Sequence, residues 1–254
     1  MAKLKPIGHE ERLSLVDHLD ELRSRLIVSA VTFVVALGVC FWQNGRILDI
    51  LNSPLGGREP VTLGVAEPFT ATLTVAAYAA ILIALPALLY QAYAFLLPAF
   101  SPTERKVALP LLLMIPFLFI AGVVFSYLVV LPNALDFLLG FNAKQFDTQI
   151  RAREYYSFAA MTMLAMGLVF QIPVGILAAT KLGLTTPAQL RRHRRYAVVV
   201  VAIVAALLPG QDPVTMLMIM APLIVLYELS ILLAAALGRP APEVGDEIAS
   251  IEGS

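Results

Sequence analysis

Charged residues are scarce in this sequence, and their scarcity argues against a soluble fold. Asp, Glu, Lys and Arg make up 14% of the 254 residues, whereas a soluble domain carries roughly 25%. Apolar residues make up 59%, and the mean hydropathy is +0.82. The formal net charge is zero, so no overall charge favours a nucleic-acid partner. We therefore predict an all-α polytopic membrane protein.

Cysteine and catalytic motifs are equally rare. The single cysteine, Cys40, lies inside the first predicted span, so no intrachain disulfide is possible and the thiol is expected in the core. The sequence has no P-loop, His-Glu-x-x-His, Gly-x-Ser-x-Gly or Cys-x-x-Cys motif. The histidines His9, His18 and His193 lack metal-ligand spacing. We expect neither an enzyme nor a metal or cofactor.

Long uncharged runs predict six transmembrane helices, because about 20 apolar residues span a bilayer. Pro86 interrupts the second predicted span, and Pro173 and Pro222 lie in the fourth and sixth. These prolines predict bent helices. Residues 1–25 are interpreted as an amphipathic N-terminal segment without a cleavable signal peptide, and 239–254 as a disordered acidic tail. The predicted spans are about 26–42, 69–97, 107–131, 156–180, 195–208 and 213–237.

The distribution of lysine and arginine predicts the orientation of the chain. One side holds the N-terminus, the loops around 101–106 and 181–195, and the tail, and it carries 13 of the 18 basic residues. Both termini are therefore predicted to be cytoplasmic. The five basic residues of the outer side are Arg46, Arg58, Lys144, Arg151 and Arg153.

The outer side and the fifth span have distinctive features. Asn52-Ser53-Pro54 predicts a turn, and the preceding Ile47, Leu48, Ile50 and Leu51 predict a short helix on the membrane surface. From Tyr196 to Leu208 the fifth span has 13 residues, about 20 Å of helix against about 30 Å of hydrocarbon. Either the bilayer thins there or other spans cover this hairpin.

A charged turn precedes the first span. Glu21 lies four residues before Arg25 and can support it on one helix face. Arg23 and Arg25 are interpretable as headgroup anchors, but a carboxylate gains nothing from that position. Glu21 would instead meet a cationic ligand that arrives from the water. Glu104 is interpretable as a first-turn helix acid, or as a second carboxylate that holds a guanidinium group.

Three further polar side chains lie at or inside the spans. Gln171, in the fourth span, either forms a helix–helix hydrogen bond beside the Pro173 kink or lines a membrane cavity. Glu228, in the sixth span, either faces an interior cavity or is protonated. Glu67 lies at the outer mouth of the second span.

Short motifs along residues 15–237 carry a family resemblance. Each is weak alone, but together with six spans and cytoplasmic termini they resemble TatC, the multi-spanning subunit of the twin-arginine protein translocase. The motifs are HLDELRSRL at 18–26, SPL at 53–55, EPF at 67–69, PALLYQAYAF at 86–95, LPAF at 97–100, ERK at 104–106, FSY at 125–127 with Pro132, FQIPV at 170–174 and RRY at 194–196.

The resemblance implies a bent, concave six-helix bundle in the bacterial cytoplasmic membrane. It implies a receptor for folded precursors that carry a twin-arginine signal peptide, with transport driven by the proton-motive force. The signal-recognition acids of the family map onto Glu21 and Glu104, with Arg23, Arg105 and Lys106 in the same cytoplasmic patch. Small single-span TatA/TatB-type partners and a multi-copy complex are also implied.

The resemblance further implies that partner helices dock around the fifth and sixth spans, near Pro209, Asp212 and Met216, and that Pro54 and Glu67 have structural roles on the periplasmic side. Many members carry Glu where this chain has Gln171, so a proton-carrying role there is doubtful. Some members carry a polar cluster where this chain has Pro209 and Met216.

The sequence leaves two other function classes open. A proton- or ion-coupled secondary transporter of a small solute is suggested by Glu228, Asp212 and the broken helices. It predicts convergent midplane charges and repeat symmetry, and the sequence shows few of the first and none of the second. A structural membrane scaffold leaves the cytoplasmic acids unexplained.

Overall fold

The regular structure of the described residues is helical throughout. The computed structural model describes residues 9–96, 102–145, 148–181, 183–207 and 212–237. Within these ranges no strand occurs, and an isolated bridge joins Val61 and Arg151. The predicted tail at 239–254 lies outside them. The helices are α1 (His9–Trp42), α2 (Asn44–Asn52), α3 (Glu67–Leu96), α4 (Pro102–Phe125), α5 (Leu131–Gly140), α6 (Ala152–Val169), α7 (Ile172–Lys181), α8 (Pro187–Arg192), α9 (Arg194–Leu207) and α10 (Pro213–Leu237).

Hydropathy located three of the six predicted spans closely. The predicted second, fifth and sixth spans correspond to α3, α9 and α10 within two residues at each end. The charged turn and the first span form one continuous helix, α1, whose described part begins at His9. The short helix expected from the apolar residues at 47–51 is α2, and Leu51 is buried, so this helix packs against protein.

The predicted interruption at Pro86 is wrong. Helix α3 continues through Pro86, and α10 continues through Pro222. A proline removes one N–H donor from the helix, and in a membrane bundle neighbouring groups compensate for that loss. The fourth span is broken, however, between Val169 and Ile172. The ring of Pro173 would clash with the Val169 carbonyl in a continuous helix, whereas proline fits the first turn of α7.

The third span is longer than predicted. Helix α4 passes through a π-helical turn, Ser126–Val130, directly into α5. The predicted outer loop at 132–155 is therefore wrong over its first nine residues. Pro132 lies directly after the π-helical turn, in the first turn of α5.

Among the described residues, five helical stretches are long and apolar enough to cross a membrane: Leu19–Trp42, Glu67–Tyr93, Leu113–Gly140, Ala152–Thr180 and Pro213–Ala236. The remaining predicted span is α9, with 14 residues, or about 21 Å of helix. Many of its side chains, including Val199 and Ile203, are exposed. Exposed aliphatic side chains at this density indicate contact with lipid.

The chain divides into two compact units, each with its own core. The first contains α1, α2, α3 and the start of α6 up to Ala160. In this unit α1 packs along α3. Buried Cys40 of α1 clusters with buried Ala76 and Ala80 of α3, and Phe33 and Leu37 of α1 pack against this cluster. Small residues let the two backbones approach closely. The predicted core position of Cys40 is confirmed.

The second unit contains α4, α5, α6 from Met161 onward, and α7 to α10. Helix α10 packs against α7 and α9. The core joins side chains from α6, α9, α10 and the π-helical turn. Its buried members are Val130, Met166, Val169, Val201, Ala205, Ile219 and Leu223.

Two glycines in the second unit allow α4 and α6 to approach closely. A Cβ atom at Gly167 would lie 2.6 Å from the Phe119 ring, and one at Gly122 would lie 2.7 Å from the Met166 carbonyl oxygen. Both distances are shorter than van der Waals contact. A Cβ atom at Gly175, in α7, would have no neighbouring heavy atom within 4 Å.

We expect Gly167→Ala to destabilise the protein by about 1–3 kcal/mol, because the added methyl group overpacks against Phe119. The matched control is Gly175→Ala, which has space and gains helix propensity. Thermal unfolding of both variants in detergent, followed by circular dichroism, measures the difference. Equal melting temperatures would show that the two helices separate freely at this crossing.

Candidate functional site

Glu21 and Arg25 lie one turn apart on α1 and form an ion pair. The Nε and Nη2 atoms of Arg25 lie 2.9 and 2.6 Å from Oε1 of Glu21. The side chains are 25% and 34% exposed for Arg25 and Glu21, respectively. The predicted support of Arg25 by Glu21 is confirmed. Two N–H groups on one carboxylate oxygen form a charge-assisted contact that only a guanidinium group makes in this way.

Arg25 also reaches the neighbouring helix. Its Nη1 atom donates a hydrogen bond of 2.9 Å to Oε1 of Gln91 on α3. Arg25 therefore links α1 to α3, which the interpretation as a simple headgroup anchor does not describe. No local pattern predicted this contact, since the two residues are 66 positions apart.

An apolar groove lies between α1 and α3 beside this cluster, with a volume of about 370 Å³. Arg25 and Gln91 form its polar edge. The rest of the lining is apolar or small: Leu22, Leu26, Ser29, Leu88, Ala92 and Phe95. The Glu21–Arg25 pair therefore lies beside a groove whose lining is mostly apolar.

The other residues predicted for the signal-peptide site are described only in part. Arg23 is exposed on α1. Glu104, Arg105 and Lys106 lie near the start of α4, but their side chains lie outside the described residues. The predicted cooperation of Glu21 with Glu104 therefore stays a prediction.

Gln171 forms the predicted helix–helix hydrogen bond. Its Nε2 atom lies 3.2 Å from the carbonyl oxygen of Ile115 on α4 and 3.4 Å from that of Gly167 on α6. The side chain lies at the break between α6 and α7, which confirms the interpretation as an interhelical contact beside Pro173. Its Oε1 atom is buried and accepts no hydrogen bond from the described residues.

Glu228 is ion-paired, and neither predicted environment describes it. Its Oε2 atom lies 2.6 Å from Nη2 of Arg194 at the start of α9. The pair is 39% and 53% exposed, respectively. The neighbouring Tyr227 hydroxyl donates to the carbonyl oxygen of Leu190. The two contacts bind α10 to the α8–α9 junction. The sequence suggested an interior position because Glu228 lies in an apolar run, but the basic run at 191–195 provides a partner.

Potential metal ligands do not converge in the part of the chain that the structure describes. His193 is exposed, and its Nδ1 atom lies 2.8 Å from the carbonyl oxygen of Gln189. That contact ends the short helix α8. The side chains of His9 and His18 lie outside the described residues.

Glu67 organises the segment 61–66 that leads into α3, which is predicted to lie on the outer side and is called the outer segment. Its Oε2 atom accepts the backbone N–H groups of Leu63 and Gly64, and its Oε1 atom lies 2.8 Å from Nε of Arg151. The carboxylate is 6% exposed, and three donors compensate for its loss of water. It also lies at the start of α3, where an acid favours the helix dipole.

Further contacts hold the same segment. The Val61 N–H donates to the Ile150 carbonyl oxygen at 2.8 Å, and the Ala152 N–H donates to the Val61 carbonyl oxygen at 2.9 Å. The Tyr155 hydroxyl donates to the Leu51 carbonyl oxygen. Pro54 lies in a 3₁₀ turn, Ser53–Leu55, that ends at Gly56 with φ of +60°. The contacts of Glu67 hold this segment together, and the structural role expected for Pro54 stays a prediction.

Asp212 caps the N-terminus of α10 through its Oδ1 atom, which accepts the Thr215 N–H at 2.7 Å. Burial raises the pKa of Asp212, but hydrogen bonds from Thr215 and the backbone outweigh burial, so the pKa lies below its ordinary value. The cap is therefore charged at neutral pH, and its contribution to stability is lost as the pH falls through that lowered pKa. Met216 packs against the core of the second unit. Pro209 lies outside the described residues.

Comparison with known proteins identifies the family. Residues 17–222 match the family described as Sec-independent protein translocase protein (TatC). The chain belongs to the TatC family. A TatC of Aquifex aeolicus is 33% identical over 238 residues, covering 91% of this chain and 99% of that protein. A TatC of Helicobacter pylori is 36% identical over 231 residues, covering 90% and 91%.

Solved structures agree with this assignment. The crystal structure of the twin-arginine translocase receptor TatC superposes with a TM-score of 0.75 at 34% identity, over 86% of this chain and 98% of that one. A structure of TatC in the detergent DDM gives a TM-score of 0.76. The predicted all-helical, six-span TatC fold is confirmed, and the chain is a core component of the twin-arginine translocase.

Three residues that hold these clusters were not among the predicted site residues: Gln91, Arg151 and Arg194. Arg151 pairs with a carboxylate 84 positions away, and Arg194 with one 34 positions away. The available signal was a charge at the edge of an apolar run, which requires a partner. That signal does not say which partner is chosen.

We expect Arg151→Met to lower the melting temperature by several degrees, because it leaves the buried Glu67 carboxylate with two donors instead of three. Arg153→Met is the matched control. Arg153 is exposed and lies two residues away, so this substitution removes the same charge near the start of α6. Thermal unfolding in detergent measures both. Equal effects would mean that the Glu67–Arg151 pair does not stabilise the outer segment.

Proposed function

We propose that this chain is the receptor for twin-arginine signal peptides on the cytoplasmic side of a bacterial inner membrane. Glu21 and Glu104 hold the two guanidinium groups of the signal, and Arg23, Arg105 and Lys106 shape the surrounding patch. Both termini lie in the cytoplasm, in agreement with the distribution of basic residues. We propose a binding and transport role without a catalytic site of its own.

The observation that supports this function is the coordination of Glu21. Its carboxylate already holds a guanidinium group through two N–H donors where α1 meets the predicted membrane boundary. The half-buried surroundings strengthen such a contact relative to a fully exposed pair. Planar two-donor geometry also explains why lysine, which presents a compact point charge, is a poor substitute in the signal.

The groove beside Arg25 suits the apolar part of a signal peptide. Its lining is apolar apart from one polar edge, and it lies between α1 and α3 within reach of the same cluster. A signal whose arginines bind Glu21 would place the following apolar residues against Leu22 and Leu26. Burial of those residues adds a contribution that does not depend on charge.

We propose that single-span partners of the TatA/TatB type dock along α9 and α10, near Pro209, Asp212 and Met216, in a multi-copy complex. The short α9 with its exposed aliphatic face leaves a surface that a partner helix can cover. Transport is driven by the proton-motive force. The amide of Gln171 does not titrate in the physiological range, so proton coupling does not pass through this side chain.

The two acids that suggested a transporter, Glu228 and Asp212, both have local structural partners. Glu228 forms an ion pair with Arg194, and Asp212 caps α10. Neither acid therefore favours a solute or proton site. No observation in the described residues favours a second function.

The test is binding of a labelled twin-arginine signal peptide to the purified chain. We expect Glu21→Ala and Glu104→Ala each to weaken binding at least tenfold, because each removes the partner of a half-desolvated guanidinium group. The arginine-to-lysine version of the peptide should bind weakly to the unmodified chain. Fluorescence anisotropy in detergent gives the dissociation constants.

Asp136→Ala is the matched control, since Asp136 is an exposed acid on α5, predicted on the outer side. Melting temperatures confirm that each variant is folded. Unchanged peptide binding and unchanged export in both glutamate variants would contradict the proposed function.

A further inference from the structure

We infer that Arg25 is an internal competitor for the signal peptide and sets the affinity of Glu21 for an incoming guanidinium group. The inference rests on the proposed function, because it assumes that Glu21 binds the signal. It adds a residue that controls how tightly this site binds its ligand.

The competition follows from shared atoms. Nε and Nη2 of Arg25 both contact Oε1 of Glu21, at 2.9 and 2.6 Å. These are the donor atoms that an arginine of the signal peptide would present, and Oε1 is an acceptor that it would use. One carboxylate oxygen cannot accept two donors from each of two guanidinium groups within hydrogen-bonding distance. An arginine that occupies Oε1 in this way must therefore displace Arg25.

Gln91 provides a second position for the displaced side chain. Nη1 of Arg25 already donates to Oε1 of Gln91 at 2.9 Å. When Arg25 leaves Glu21, it retains this partner on α3 and remains at the polar edge of the groove. Displacement therefore does not strand an unpaired cation in an apolar surrounding, which would be costly. The exchange can proceed with a small net change in hydrogen bonding.

The thermodynamic consequence is a uniform loss of affinity. If only a fraction of the molecules have Glu21 open, the apparent dissociation constant equals the intrinsic one divided by that fraction. The same fraction applies to any ligand that needs the open carboxylate. Arg25 should therefore weaken a twin-arginine and a twin-lysine peptide by the same factor, and leave the preference between them unchanged. A receptor of this kind exchanges its ligand more readily than an open carboxylate would.

The experiment measures peptide binding to full-length Arg25→Met and Arg25→Lys variants in detergent. Methionine retains the apolar stem without the charge. Lysine retains the charge but cannot place two N–H donors of a planar group on Oε1. We expect Arg25→Met to bind the twin-arginine peptide roughly three- to tenfold more tightly, as for loss of a half-buried ion pair. Arg25→Lys should bind more tightly by a smaller factor, and the twin-lysine peptide should show the same factors.

Two further variants separate local competition from general electrostatics. Arg192→Met removes one positive charge from an exposed site that is predicted to be on the same side of the membrane, and it should leave binding unchanged. Gln91→Leu removes the partner that the displaced Arg25 retains, so displacement becomes more costly and peptide binding should weaken. Melting temperatures establish that all variants are folded.

The outcomes distinguish the inference from the function on which it rests. If Glu21→Ala abolishes binding while both Arg25 variants bind unchanged or more weakly, Arg25 is not a competitor and the receptor function stands. If Arg192→Met tightens binding as much as Arg25→Met, the effect is general attraction and the inference fails. If Glu21→Ala binds normally, the receptor function fails and the inference fails with it.

Discussion

The structure depends on one constraint: hydrocarbon offers no hydrogen-bond partner to a polar group. The backbone meets this constraint by forming helices, and the isolated bridge between Val61 and Arg151 occurs outside the long apolar stretches. Polar side chains meet it by pairing. Gln171 donates to the Ile115 carbonyl oxygen at the one described break within a predicted span. There the helix end leaves groups that neighbouring helices must satisfy.

Ion pairs and the hydrogen bonds of their side chains join helices within each unit. In the first unit, Arg25 joins Glu21 to Gln91, and Glu67 joins α3 to Arg151. In the second unit, Glu228 joins α10 to Arg194. These pairs differ in burial. The buried Glu67 carboxylate accepts three hydrogen bonds and is 6% exposed, whereas the Glu21 carboxylate is 34% exposed.

The same physics links stability to function in this TatC-family chain. In the proposed receptor function, the carboxylate of Glu21 lies near the membrane before the guanidinium ligand arrives. The internal contact with Arg25 supplies a counter-charge during that time. A neutral or unpaired arrangement would either lose the attraction for arginine or carry the cost of a partly desolvated charge. The short helix α9 shows a parallel case, because its exposed aliphatic face is stable only against lipid or another helix.

The sequence by itself determined the features that depend on local composition. Hydropathy located α3, α9 and α10 within two residues, and four-residue spacing predicted the Glu21–Arg25 pair, because both depend on neighbours along one helix. Proline was misleading at Pro86, since its effect depends on its position in a helix and on what surrounds it. The tertiary structure alone decided that Arg25 reaches Gln91, that Arg151 serves Glu67 and that Arg194 serves Glu228. The hydropathy pattern predicts that a charge at the edge of an apolar run needs a partner. Only the packing of distant helices brings one particular partner within hydrogen-bonding distance.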